Sequence, residues 1–373
     1  MHEATKAPKV SFFDYIVIGG GTTGIPIATT LSTNYSVLLL ERGGSPYNDA
    51  NITKASNFGL YFFDTSPDAP AQQFMTQGVP NARARVLGGG TSINAGFYSR
   101  GEEQFNKDAK LTDGDLIQES YEWTEKVMVF GQDVQSWQSG VRAGLVEAGV
   151  KPDNGHTAAD LLQYANPKGL SLLLHATVHK ILFKHKERSK PRAYGVVFED
   201  TLGKKHVAYL KRRKNNEIIL SAGALGSPQL LMLSGIGPKD QLDALNIKIV
   251  LEQPFVGQDM ADNPLNVLFI PSPIRVERSL VQVVGITPFG SYIEASGGFN
   301  IIFVNLSDYQ GYTPEKCVKG IETILKTFNS EAFSNYKLAN MTDQDILDLN
   351  MKIPYNLIAH GSTSTSLEQH CKD

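Results

Sequence analysis

The sequence predicts an α/β protein whose first domain is built on a parallel β-sheet. Residues 12–18 are β-branched and aromatic and end in a continuous apolar run, which is typical of a strand buried on both faces. Residues 36–40 form a second apolar strand, and residues 25–32 between them carry apolar side chains at helical spacing. Pro26 is compatible with that helix because it falls in the first turn, where a missing N–H is tolerated. The chain therefore begins with a βαβ unit.

Size and composition indicate a globular protein and exclude several functional classes. The chain has 373 residues, of which 41% are hydrophobic and 20% charged, and its net charge is −3. A protein with no positive excess is a poor candidate for nucleic-acid binding, and no apolar run approaches the roughly 20 residues that cross a bilayer. Two cysteines, Cys317 and Cys371, supply neither a disulfide framework nor a zinc site, and we expect no metal.

The signals for cellular location point in different directions. Residues 1–10 lack the apolar core of a secretory signal. Asn-X-Ser/Thr sequons, which would be used only in a secretory pathway, stand at Asn34, Asn51, Asn305 and Asn340. Asn34 lies close to a predicted buried strand, which argues against its modification. The location stays open.

The first glycine cluster carries the best-supported chemistry. Gly19, Gly21 and Gly24 fit the pattern G-x-G-x-x-G directly between the first strand and the helix, and Glu41 ends the second strand. In a Rossmann-like domain such glycines allow a tight turn, close approach to a diphosphate and close helix packing, while the acidic residue accepts hydrogen bonds from a ribose diol. The alternative is a glycine-rich turn without a ligand, and the motif does not separate NAD from FAD.

The rest of the chain has a less regular pattern. Residues 43–81 are rich in Pro, Asn, Asp, Ser and Gly and predict a long extended segment that ends at a second glycine cluster, residues 88–90. Helices are predicted over 102–149, 222–233 and 314–333, and short strands over 178–184, 193–200, 206–210 and 217–221.

Two longer motifs resemble the signatures of the glucose-methanol-choline (GMC) flavoprotein oxidoreductases. Residues 84–98, Ala-Arg-Val-Leu-Gly-Gly-Gly-Thr-Ser-Ile-Asn-Ala-Gly-Phe-Tyr, resemble the first signature, and residues 223–237 resemble the second. Short segments such as Leu-Glu-Arg-Gly-Gly at residues 40–44 are most similar to sequences of the plant branch that contains the HOTHEAD-type proteins and the mandelonitrile lyases. The resemblance extends from residue 12 to about residue 298.

The resemblance implies a Rossmann-like FAD-binding domain formed by residues 12–101 and 168–265, with a helical cap and shortened mixed β/α substrate domain formed by 102–167 and 266–373. It implies FAD in an extended pose, with the diphosphate on the first glycine cluster, the ribose at Glu41, the flavin along residues 86–97 and adenine at Val178. The implied cofactor-binding residues are Gly19, Gly21, Thr22, Thr23, Gly24, Glu41, Arg42, Val86, Gly90, Thr91, Asn94, Ala95, Gly96, Phe97 and Val178. Residues 223–237 would serve mainly to pack a helix against this domain, and residues 256–263 would pass near the flavin.

The resemblance also implies alcohol oxidation, in which the flavin accepts a hydride and a histidine near the C-terminus takes the hydroxyl proton. That Trp-His segment is absent from this sequence, so we expect a chain incomplete at its C-terminus, and also shortened around residues 153–156 and 298–310. No other histidine has the position of a general base, so the catalytic residue is unknown. The histidines considered are His2, His156, His175, His179, His185, His206, His360 and His370.

Three functions stay open at this stage. The first is FAD-dependent oxidation of a small-molecule alcohol, impaired by loss of the histidine segment. The second is hydroxynitrile lyase activity on a cyanohydrin with structural FAD, and the third is a non-catalytic FAD-binding remnant. The substrate, the choice between oxidase, dehydrogenase and lyase, and the oligomeric state do not follow from the sequence. Complete relatives are expected to be secreted.

Overall fold

The structure is a computed structural model, and it describes residues 1–352 except 48, 55–56, 58–60, 62–63, 77–78, 95, 97, 99, 102, 129–133, 154–158, 185–189, 214, 259–264, 278, 280, 290, 299–300 and 306–313. Within these residues the α-helices are α1 (Gly24–Ser32), α2 (Ala50–Thr53), α3 (Glu103–Asp108), α4 (Gly114–Met128), α5 (Ser136–Glu147), α6 (Gly223–Leu233), α7 (Lys239–Ala244), α8 (Pro314–Phe328) and α9 (Asp343–Lys352). None of these helices combines the length and the apolar composition that a membrane-spanning segment needs.

The strands of the described residues form three larger sheets and two small ones. They are β1 (His2–Glu3), β2 (Val10–Phe13), β3 (Tyr15–Ile18), β4 (Val37–Leu40), β5 (Ala71–Thr76), β6 (Val79–Ala84), β7 (Lys151–Asp153), β8 (Leu170–Leu174), β9 (Thr177–Lys184), β10 (Arg192–Glu199), β11 (Lys205–Leu210), β12 (Glu217–Leu220), β13 (Ile236–Gly237), β14 (Leu251–Glu252), β15 (Leu265–Phe269), β16 (Val284–Ile286), β17 (Tyr292–Ser296) and β18 (Ile301–Asn305).

The first sheet is parallel throughout, in the order β1-β8-β4-β3-β12. Helix α1 connects β3 to β4, as the apolar pattern predicts. Because successive strand residues point to opposite faces, Ile16 and Leu38 lie on one face while Val17 and Leu39 lie on the other. All four are buried, which explains the continuous apolar runs.

Each face of this sheet is covered by a different layer. On one face lies the second sheet, β2-β11-β10-β9, whose Ile181, Val196 and Phe198 join the same apolar cluster. On the other face α1 packs through Ile25 and Ala28 together with side chains of α4 and the segment 159–164. The second sheet contains the predicted strands of residues 177–210, within a few residues of their expected ends.

A separate apolar core surrounds the third sheet, β15-β18-β17-β16-β7, which is antiparallel. Helices α5 and α8 pack against it through Trp137, Leu145, Ile324 and Phe328. Helix α8 ends at Phe328, short of the predicted end at residue 333, and a 3₁₀ helix follows over Glu331–Tyr336.

The strand predicted over residues 12–18 is wrong in one respect, because it consists of two strands in two sheets. Strand β2 pairs with β11, β3 pairs with β4 and β12, and the chain changes sheets at Asp14. The Asp14 carboxylate accepts hydrogen bonds from the Ser36 N–H and hydroxyl at 3.0 and 2.6 Å. These contacts fix the backbone at the point where the chain changes sheets.

Candidate cofactor-binding site

The first glycine cluster forms a tight turn between β3 and α1. Gly19 has φ +100°, and a Cβ there would lie 2.3 Å from the Ser221 carbonyl oxygen. A Cβ on Gly24 would lie 1.9 Å from the Gly19 carbonyl oxygen. Both positions require glycine for the turn and for close packing of the helix. The turn also places the N-terminal end of α1, with its backbone N–H groups and positive dipole end, beside a cleft.

The second glycine cluster packs directly against the first. The Gly88 N–H donates to the Gly20 carbonyl at 2.7 Å. Gly89 has φ +62°, and a Cβ there would lie 2.8 Å from the Gly21 Cα. The Thr91 hydroxyl donates to the Gly88 carbonyl at 2.7 Å and fixes the second turn. Two motifs that are far apart in the sequence therefore form adjoining walls of one cleft.

Glu41 lies at the end of β4 and binds both glycine-rich backbones. Its Oε2 accepts the Gly20 N–H and its Oε1 accepts the Gly43 N–H, each at 2.7 Å. Burial raises the pKa of the Glu41 carboxyl, and the two N–H donors oppose that rise. A carboxylate has about four acceptor positions, so Glu41 can accept further hydrogen bonds while it holds the turn.

Arg42 follows Glu41 and meets a second arginine from the β5-β6 hairpin. Its Nη1 donates to the Gln72 Oε1 at 2.7 Å, and the Arg83 Nε donates to the same oxygen at 2.9 Å. Arg83 Nη1 lies 3.4 Å from the Gln229 Oε1 on α6. Burial, with a contribution from Arg83, lowers the pKa of Arg42 to about 10. These contacts join three distant segments at one wall of the cleft.

The cleft has a volume of about 820 Å³, within the usual range for small-molecule sites. Most of the implied cofactor residues line it, namely Gly19, Gly21, Thr22, Thr23, Glu41, Arg42, Val86, Gly90 and Val178. Gly24, Thr91, Asn94 and Gly96 are described but are not among the lining residues. The Gly96 N–H instead donates to the Asn94 Oδ1 at 3.0 Å. Ala95 and Phe97 lie outside the described residues.

Sequence reasoning missed two parts of the wall. Residues 223–227 and Gln229 of the second signature, with residues 220–222 just before it, line the cleft as well as packing α6. Arg83 was also missed, because no local pattern around it indicates that it meets Gln72 and Gln229.

Among the histidines that the structure describes, His175 and His206 are engaged away from the cleft, and His179 lies at it. His175 Nδ1 lies 2.6 Å from the Glu3 Oε2, and His206 is buried between Asp200 and the Pro8 carbonyl. His179 lines the cleft and lies 3.5 Å from the Glu199 Oε2. His2 is exposed at the N-terminus. His156, His185, His360 and His370 lie outside the described residues, as does most of the segment 256–263.

The residues at the cleft fit an extended dinucleotide. A Cβ on Gly21 would come no closer than 3.7 Å to its nearest neighbour, and a Cβ on Gly90 would meet no heavy atom within 4 Å. Both glycines therefore face open space, where a ligand can approach the backbone. Within the ranges that are described, no group of three or more His, Cys, Asp or Glu side chains could hold a metal ion.

Comparisons with curated proteins give close relatives in plants. The chain is 50% identical over 312 residues to Protein HOTHEAD of Arabidopsis thaliana, which is 78% of this chain and 52% of the relative. It is 44% identical over 321 residues to an (R)-mandelonitrile lyase-like protein of Arabidopsis thaliana, covering 79% and 58%. It is also 44% identical over 323 residues to Sinalpyl alcohol oxidase Nec3 of Nesocodon mauritianus, covering 79% and 58%. The chain thus spans about half the length of the curated relatives it matches.

Solved structures share the fold at low sequence identity. A formate oxidase matches with a TM-score of 0.66 and 15% identity, covering 92% of this chain and 87% of that one. Pyridoxine 4-oxidase from Mesorbium loti matches with a TM-score of 0.68 and 17% identity, covering 90% and 85%. The family model described as GMC oxidoreductase matches residues 119–265. The chain belongs to the GMC oxidoreductase family and has its mixed α/β, Rossmann-like fold.

Proposed function

We propose that this chain binds FAD in the cleft between the two glycine clusters. The observation that carries the proposal is the open space in front of Gly21 and Gly90, beside a carboxylate held at the end of β4. In this proposal the N-terminal end of α1 faces the diphosphate, Glu41 accepts the ribose hydroxyls, and Val178 lies against adenine. Val86, Gly90 and residues 91–97 lie along the rest of the cofactor.

The same proposal divides the chain into two functional parts. Residues 12–101 and 168–265 form the cofactor domain, and residues 102–167 and 266–373 form the cap and substrate domain. The apolar core that joins α5 and α8 to the antiparallel sheet supports a separate second part. Side chains of α4 also belong to the apolar cluster of the parallel sheet, so in this proposal the first half of the cap packs against the cofactor domain.

The reaction we propose is oxidation of a small-molecule alcohol. FAD supplies a hydride acceptor for the carbon that carries the hydroxyl. The described residues of this chain bind and orient the cofactor, and the general base is assigned to no described residue. A relative at 44% identity is named an alcohol oxidase, and the matched solved structures include oxidases, which supports this class.

A second candidate is hydroxynitrile lyase activity, because several relatives are named (R)-mandelonitrile lyases, at 38% to 42% identity. The two candidates differ in whether flavin changes redox state. Anaerobic addition of an aromatic alcohol to the holoprotein should bleach the flavin absorbance if it is an oxidoreductase. Release of benzaldehyde and cyanide from mandelonitrile, with the flavin still oxidised, would favour the lyase instead.

Cofactor binding is tested by the Gly21→Ala variant. A Cβ at Gly21 has only an ordinary contact at 3.7 Å to the Gly89 Cα, so the free chain should fold normally. The same methyl group would stand where the backbone approaches the diphosphate, and we expect FAD affinity to fall at least tenfold. Flavin fluorescence quenching measures the affinity, and circular dichroism measures the fold.

The matched control is Gly114→Ala, where a Cβ would meet no atom within 4 Å and which does not line the cleft. This variant should bind FAD as the unmodified chain does. If Gly21→Ala binds equally well, or if the unmodified chain takes up no FAD on reconstitution, the proposed site is wrong.

We also propose that the protein is secreted, on the strength of its exposed sequons. Asn34 and Asn340 are both exposed, although Asn34 lies three residues before the buried strand β4. Material expressed through a plant secretory pathway should lose mass on endoglycosidase treatment. Replacing both residues by Gln should reduce that loss, and an unchanged loss would assign the glycans to other positions.

A further inference from the structure

Two guanidinium groups share one neutral acceptor in the wall of the cleft. Arg42 and Arg83, here called the arginine pair, both donate to the Gln72 Oε1, at 2.7 and 2.9 Å. Both arginines line the cleft together with Gln229, which lies 3.4 Å from Arg83. Two positive groups that meet on an amide oxygen repel each other and gain no opposite charge from that contact.

Charges of the described residues around the pair are mostly positive. Arg85 lies two residues beyond Arg83, and its charge adds to that of the pair. The Glu41 carboxylate opposes the charge of Arg42, and both of its oxygens already accept backbone N–H groups. Burial and the neighbouring arginines lower the pKa of Arg42 to about 10, and burial and Arg85 lower that of Arg83. An anion at this place would relieve the repulsion.

The pair retains hydrogen-bonding capacity for such an anion. Each guanidinium has five N–H donors in a planar fork that matches phosphate oxygens. Gln72 takes one donor of each arginine, and Gln229 takes one more from Arg83. Gln72 also fixes the separation of the two forks, because it accepts from both. The arrangement is therefore prepared for a planar, bidentate contact with an oxyanion.

We propose that Arg42 and Arg83 form a phosphate subsite beside Glu41, in which Gln72 positions both guanidinium groups. The proposal rests on nucleotide binding in this cleft and deepens it. The family resemblance placed Arg42 among the cofactor residues without a role and did not include Arg83 or Gln72. The phosphate comes either from the 5′ chain of the bound adenine nucleotide or from a phosphate ester on its ribose.

The test compares nucleotides that differ only in phosphate groups. Calorimetry measures binding of adenosine, 5′-AMP, ADP, 2′,5′-ADP and 3′,5′-ADP to the unmodified chain and to Arg83→Gln. We expect Arg83→Gln to bind the phosphorylated nucleotides at least tenfold more weakly and adenosine within twofold of the unmodified chain. A loss seen with 5′-AMP assigns the subsite to the 5′ chain, and a loss confined to 2′,5′-ADP or 3′,5′-ADP assigns it to the ribose ester.

Two further variants separate charge at the cleft from charge or folding elsewhere. Arg83→Lys keeps the charge but loses the fork, and we expect an intermediate loss of ADP affinity. Arg192→Gln removes an exposed arginine that does not line the cleft, and it should bind as the unmodified chain does. Raising the salt concentration should weaken ADP binding less in Arg83→Gln than in the unmodified chain, because one charge is gone.

Equal loss for adenosine and the phosphorylated nucleotides, or no loss for any of them, would overturn the subsite. Reconstitution with FAD is measured separately on the unmodified chain. If the unmodified chain binds FAD while Arg83→Gln leaves the affinity for every phosphorylated nucleotide unchanged, the subsite fails and the proposed function stands. If the unmodified chain binds a phosphorylated nucleotide through Arg83 but takes up no FAD, the subsite stands and the proposed function fails.

Discussion

The Asp14 carboxylate, at the change of sheets between β2 and β3, permits a quantitative test of what holds the cofactor domain together. Its Oδ2 accepts hydrogen bonds from the Ser36 N–H and hydroxyl at 3.0 and 2.6 Å and from the Lys211 Nζ at 3.1 Å. The Asp14 side chain is 6% exposed. The Asp14→Asn variant keeps the shape of the side chain and removes its charge.

The expected magnitude follows from the pKa of Asp14. Burial alone would raise this pKa, but the hydrogen bonds from Ser36 and the charge of Lys211 outweigh it and lower the value from 3.8 to about 2. A shift of nearly two units corresponds to roughly 2.5 kcal/mol of folding free energy. Lys211 and Arg213 are 38% and 68% exposed, so solvent screens part of the attraction. We therefore expect Asp14→Asn to cost about 1–2 kcal/mol at neutral pH.

The sign of the pH dependence gives a sharper test than the magnitude. Because the folded pKa is below the unfolded value, the stabilisation is present above pH 3.8 and is lost as the pH falls toward 2. The difference between the urea unfolding midpoints of the two proteins should therefore be full at pH 7, fall to roughly a third at pH 2.5 and vanish only below pH 2. Asp243→Asn, which removes an exposed partner of Lys239, serves as the control and should leave the midpoint unchanged. A difference that persists undiminished at pH 2.5 would refute the reasoning.

Two further predictions concern packing and a buried hydroxyl. Gly24→Ala should destabilise the domain by several kcal/mol in urea unfolding, because the new Cβ would lie 1.9 Å from the Gly19 carbonyl oxygen. Unchanged stability would contradict the close packing of α1. Ser234→Ala should lower the free energy of unfolding by about 1–3 kcal/mol, since the buried Ser234 hydroxyl accepts the Ile181 N–H at 2.9 Å and donates to the Leu230 carbonyl. Amide hydrogen exchange at Ile181 should become faster in this variant. Unaltered protection of that amide would argue against the contact.

Local patterns predicted the first βαβ unit but not its boundary. The apolar runs of β3 and β4 and the helical spacing of α1 are properties of adjacent residues, and the structure confirms all three elements. The continuous strand over residues 12–18 is wrong because Asp14 is flanked by strong strand formers. Its partners, Ser36 and Lys211, are remote in the sequence. Contacts of that kind leave no periodic signal.

The same distinction applies to the candidate site. Sequence spacing alone predicted the roles of the glycines and of Glu41 in the candidate site. A turn, a helix start and a strand end are features of adjacent residues. The arginine pair was not foreseen because Gln72 and Gln229 come from a hairpin and a helix that meet only after folding. The second signature was assigned to packing, and its position in the cleft wall depends on the pairing of β12 with β3.

The geometry of the individual glycines distinguishes the two interpretations of the glycine cluster. Gly19 and Gly24 are required by contacts within the protein, so a ligand-free glycine-rich turn would explain them equally well. Gly21 and Gly90 are different, because an alanine at either position would meet no atom closer than 3.7 Å. Internal packing therefore gives no reason for glycine at these two positions. A ligand that approaches the backbone closely would explain why glycine stands at both positions. Both glycines face the cleft that Glu41 and the arginine pair also line.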